Sequence, residues 1–67
     1  MIVYKVNVLR ELFYAGYNCT DLRRNKILSE STLTKLRNGK YVDMSTLDKI
    51  CKLTHLKICD LIEYVED

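Results

Sequence analysis

Residues 29–40 read SESTLTKLRNGK. Ser29 offers a hydroxyl to the free amides that open a helix. Leu33 and Leu36 are three apart and share its inward face, and Asn38-Gly39 stops it. Ser29, Glu30, Ser31, Thr34 and Lys35 are left facing outward, with Arg37 and Lys40 close behind. A helix that only had to pack would not need so many small hydroxyl and basic side chains in one place. The stretch therefore predicts a short helix, about 30–38, that presents a polar, cationic surface.

Immediately before it, Asn18 caps another short helix that runs through about Lys26, with Asp21 three residues on to complete a capping box. Leu22 is its inward anchor and Asn25–Leu28 form the turn. Two short helices joined by a turn of about four residues, over about 19–38, have the spacing of a helix-turn-helix. In that arrangement the second helix enters the major groove of DNA and meets base edges with its N-terminal residues. Short side chains such as Ser31 and Thr34 let it approach. Lys35 can donate to guanine O6 and N7, and Glu30 can accept from the cytosine amino group. Arg37, Asn38, Lys40 and the amides near Asn18–Thr20 suit phosphate, which sets register without reading sequence.

On the N-terminal side, Val6, Leu9, Phe13 and Gly16, with Leu12 beside them, step as one apolar stripe and predict a helix over roughly 6–15 that Gly16 ends. The opening IVYKV alternates and is rich in β-branched residues, as a short strand would be. On the C-terminal side, Ser45 with Asp48 three residues on reads as a capping box. It opens a helix buried through Leu47, Ile50, Cys51 and Thr54. A break at about His55–Lys57 precedes a last short helix, roughly Ile58–Tyr64, buried through Leu61 and Ile62.

The chain has 67 residues, no proline and two glycines, so one small, mostly helical domain is expected. Its net charge of +2 is unevenly spread: residues 20–40 carry +4, and residues 59–67 carry −4. The positive field is concentrated where the helix pair lies, as an anionic partner requires. Three cysteines cannot pair completely, the start MIVYKV lacks the segments of a signal peptide, and no apolar run approaches a bilayer span. These features predict a reduced, cytoplasmic protein with no membrane association.

The stretch TDLRRNKILSESTLTKLRNGK, followed by STLDKICKL and DLIEYVED, resembles the Cro/CI-type helix-turn-helix family, also called the XRE family, from Leu9 to Asp67. The similarity is to its very short members. It implies an all-α, compact five-helix, lambda-repressor-like DNA-binding domain over residues 1–67. It also implies a role as a transcriptional regulator, acting as a homodimer on a palindromic operator. Transferred by position, Glu30, Ser31, Thr34 and Lys35 fall on base-facing positions. Cys19 and Thr20 fall at the start of the first helix of the pair, where the family grips phosphate. The chain departs from the pattern at Arg23, where alanine is usual, at Ile27, where the turn glycine is usual, and at Cys19, where glutamine is common.

Other readings account for part of the sequence. Cys51, His55 and Cys59 are spaced by four, but zinc wants four ligands in tight pairs, and buried cysteine as apolar filler explains both thiols. One histidine and no phosphate-cradling glycine loop argue against an enzyme, a small-molecule substrate or a cofactor. Tyr14, Tyr17 and Tyr41 read as the rim of the core; Tyr4, Tyr64 and Val65 read as dimer surface. The rival function is an antitoxin-like or protein-docking module using the apolar termini Ile2, Val3, Tyr4, Tyr64 and Val65.

Overall fold

The computed structural model describes residues 1–67. The chain runs β1 (Ile2–Tyr4), α1 (Val8–Tyr14), α2 (Cys19–Arg24), α3 (Glu30–Arg37), α4 (Met44–Thr54), α5 (Ile58–Leu61) and β2 (Ile62–Tyr64). Five helices enclose one core, and β1 and β2 pair antiparallel, with Ile2 opposite Tyr64 and Tyr4 opposite Ile62. All nine buried residues are apolar, and Leu12, Leu22, Leu33, Ile50 and Leu61 sit at the centre.

Side-chain caps set where most helices begin. Asn7, Asn18, Ser29 and Asp43 each accept from the amide three residues on, at 3.2, 2.8, 3.2 and 2.9 Å. Two of these starts revise the sequence-based expectation. Asn7 starts α1 at Val8, so Val8 and Leu12 are its buried residues, while Phe13 is 64% exposed. Asp43 starts α4 two residues before Ser45, which becomes a residue of the first turn. A carboxylate there answers the positive end of the helix as well as its amides.

The first three helices close in the same way. After α1, α2 and α3 the chain turns left-handed at Gly16 (φ 101°), Lys26 (φ 56°) and Gly39 (φ 70°). In each case the next residue's amide reaches back to the carbonyl five positions earlier: Tyr17 to Leu12, Ile27 to Leu22, and Lys40 to Lys35. In the second closure Lys26, not Ile27, takes the left-handed conformation, so the β-branched residue escapes it. A non-glycine residue there carries strain of about 1 kcal/mol. Lys26→Gly is therefore expected to raise stability by about 0.5–1 kcal/mol, measurable by urea denaturation.

The last segment also differs from expectation. The helix ends at Leu61, and Ile62–Tyr64 is a strand because Ile2–Tyr4 needs a hydrogen-bonding partner. Lys5 N donates to Leu61 O at 2.7 Å and Val65 N to Met1 O at 2.9 Å, which ties the two ends of the chain together. Tyr14 and Tyr41 are 71% and 62% exposed, so neither belongs to the core rim, whereas Tyr17 packs on the core. Cys51 is partly buried against the core, but Cys59 is exposed and fills no core space.

Asp43 gives the fold an acid sensitivity. Hydrogen bonds from the Thr46 side chain, then from its amide, hold the carboxyl below its ordinary 3.8. A depressed folded pKa contributes stability that is full above the unfolded value and is lost as pH falls through the folded one. Thermal stability should thus fall on acidification below about pH 4, and Asp43→Asn, which keeps an acceptor, should remove part of that fall.

Candidate nucleic-acid interface

The interface is built on α3, which is held from three sides. Leu33 and Leu36 are buried, with Leu22 from α2, Leu28 from the turn and Ile50 from α4 in the same cluster. Behind it, Lys49 Nζ donates to Ile27 O at 3.4 Å, fastening the turn between α2 and α3 to α4. Beyond its C-terminal end, the Tyr4 hydroxyl donates to Lys40 O at 2.7 Å, which fixes the exit loop to β1. Burial pushes the Tyr4 phenol up from its ordinary value. A helix braced in this way presents its outer face rigidly.

That outer face is a stripe. Ser31, Thr34, Lys35 and Asn38 are all exposed and recur at i, i+3, i+4 and i+7, one side of an α-helix. Three of them, Ser31, Thr34 and Lys35, were read from the sequence as base-facing. Asn38, assigned there to phosphate, continues the same line as the C-terminal cap. Ser31 is not wholly free, since its hydroxyl lies 3.1 Å from the Ser29 hydroxyl. Glu30 lies on the flank with Arg37, seven residues on, and is engaged: Arg23 Nη1 donates to Glu30 Oε2 at 3.0 Å.

The residues assigned to phosphate contact lie at two places, the C-terminal end of α3 and the start of α2. Arg37 and Lys40 are exposed at the C-terminal end of α3. At α2, the first intrahelical bond runs from Leu22 N to Asn18 O at 3.0 Å, so the amides of Cys19 and Thr20 precede the ladder and can donate outward. Thr20 is exposed, whereas Cys19 packs against the core, so the Cys19 side chain is directed to packing. Arg23 takes no part in the core: Leu22, Leu28 and Leu33 are buried in one cluster, while the arginine is half exposed. No local signal in the sequence pairs Arg23 with Glu30, since a spacing of seven across a turn is not a helix-face spacing.

The remaining chemistry-bearing residues do not gather into a site. Cys51, His55 and Cys59 do not form a ligand cluster: no group of three or more His, Cys, Asp or Glu residues is placed to hold a metal. Burial first, then the charges of Asp48 and Asp60, push the Cys51 thiol up. No helix is long and apolar enough to cross a membrane.

A short helix laid across a turn from a second, braced helix with a polar outer stripe defines a helix-turn-helix DNA-binding domain. The chain belongs to the Cro/C1-type HTH DNA-binding domain family, whose model matches residues 12–67. No curated protein and no solved structure matches it.

Proposed function

We propose that the protein is a cytoplasmic transcriptional repressor that binds a palindromic operator as a homodimer and makes no chemical change to the DNA. The observation that carries this is the exposed Ser31–Thr34–Lys35–Asn38 stripe on α3, flanked by Arg37 and Lys40. Within a single domain over residues 1–67, Glu30, Ser31, Thr34 and Lys35 contact base edges. The amides of Cys19 and Thr20, and the side chains of Thr20, Arg37, Asn38 and Lys40, contact phosphate. One eight-residue helix covers a half-site only, so a second copy doubles the contacts.

The dimer face is the sheet end. Ile2, Val3, Tyr4 and Ile62 line an apolar groove with Tyr41, Val42, Met44 and Leu47. Tyr64, 62% exposed, lies opposite Ile2 in the sheet, and Val65 follows it. The two-stranded sheet leaves an outer edge on each strand, which a second copy can cover. The same groove favours a second reading, an antitoxin-like or protein-docking module with no primary DNA role.

Selection of bound duplexes from a random pool separates the two readings. The repressor reading expects an inverted repeat with half-site centres about 34 Å apart, one helical turn. An asymmetric site would remove the two-fold dimer. Failure to enrich any sequence, with binding to a protein partner abolished by Tyr64→Glu, would establish the docking module instead.

A further inference from the structure

The Arg23–Glu30 pair is the one side-chain ion pair on the face that meets DNA, and packing does not require it. Both side chains are about half exposed, at 50% and 58%. Such a pair contributes little to stability, because water screens the attraction and two long side chains must be held still. What the pair does fix is the position of a carboxylate at the first residue of α3, the end that reaches deepest into the groove.

A carboxylate is poorly placed there by itself. Among phosphates it is repelled, and a free glutamate samples many rotamers. The Arg23 guanidinium removes both objections: it cancels the charge and anchors one oxygen, Oε2, from the neighbouring helix. The contact leaves Oε1 to accept from a base. Only one N–H of a five-donor guanidinium is used, so the others can meet a phosphate oxygen.

We infer that Arg23 is a positioning residue for sequence reading: it holds Glu30 so that the carboxylate accepts the exocyclic amino group of cytosine. The inference rests on the proposed major-groove docking of α3, and it assigns one recognised base pair to this pair of side chains. Arg23 thereby determines specificity at a base it does not touch.

The experiment uses duplexes selected by the unmodified protein, each base pair then varied in turn, and measures relative affinities for the unmodified protein, Arg23→Ala, Glu30→Ala and the double variant. Glu30→Ala should lower the preference for cytosine at one position of each half-site about tenfold. Arg23→Ala should lower the preference at that same position by a similar factor, with little change in thermal midpoint. The double variant should lose no more than either single one, the mark of two residues acting as a unit. Arg23→Lys, which keeps the charge without the planar fork, should restore part of the preference.

An Arg23→Ala variant that keeps full base preference, or losses that add in the double variant, would overturn the inference while leaving DNA binding by α3 intact. If the unmodified protein selects no sequence at all, the docking itself fails and the inference falls with it.

Discussion

Lys35→Glu combined with Arg37→Glu is expected to weaken binding to duplex DNA by on the order of a hundredfold at physiological salt. Both residues are exposed on α3, one on the outer stripe and one on its flank. Each phosphate neutralised by a cation releases condensed counterions. Of the two, Arg37 is the phosphate contact and Lys35 the base contact, so the slope of log affinity against log salt should fall by about one. Reversal adds repulsion to that loss. The fold should survive because neither side chain is buried, although both lie in the last turn of α3, where cations suit the helix dipole. Lys35→Gln/Arg37→Gln separates these effects: it removes the cations without placing carboxylates at the negative end of the helix. A folded neutral variant that binds as tightly as the unmodified protein would show that α3 does not meet the phosphates.

Leu33→Ala is expected to unfold the domain or to lower its thermal midpoint by tens of degrees. Leu33 is fully buried at the centre of the core, where it packs the recognition helix against the rest. Truncating a buried leucine costs about 2–5 kcal/mol, the transfer of the lost methyl groups plus the cavity that remains. A domain of 67 residues has only roughly 3–10 kcal/mol of total stability to lose. Circular dichroism of Leu33→Ala should show loss of helix at room temperature or a thermal midpoint lowered by tens of degrees. The surface pair thus weakens binding in a folded protein, whereas Leu33→Ala undermines the fold itself. A near-normal melting curve for Leu33→Ala would mean that the core described around α3 is wrong.

Much of this arrangement was legible in the sequence because caps and stops are local chemistry. Asn18, Ser29, Gly16 and Gly39 act at the positions expected of them, and Leu22, Leu33 and Leu36 face inward as their spacing requires. Where two neighbouring signals compete, sequence alone is ambiguous. Asp43 and Ser45 both fit a helix start, and the carboxylate at Asp43 prevails. Val6 and Val8 both fit the first apolar position; the Asn7 cap selects Val8 and turns Phe13 outward.

Long-range pairings were less legible. The strand Ile2–Tyr4 was foreseen, but its partner lies some sixty residues away, and Ile62–Tyr64 fits either a helix or a strand until that partner is present. Arg23 shows the same limit at shorter range. Nothing local pairs it with Glu30, seven residues on, until the chain turns at Lys26. The base-facing stripe, by contrast, lies on one helix and follows from its period.

The most direct test of the central statement, that α3 docks this domain on DNA, is a titration of the protein into a labelled random-sequence duplex. Fluorescence anisotropy would be followed at several salt concentrations, for the unmodified protein and for Lys35→Gln/Arg37→Gln. The account predicts binding whose logarithm falls linearly with log salt, with a slope less steep by about one in the variant, which loses the Arg37 phosphate contact. A folded protein that does not bind at low salt, or a slope identical in the two proteins, would contradict it.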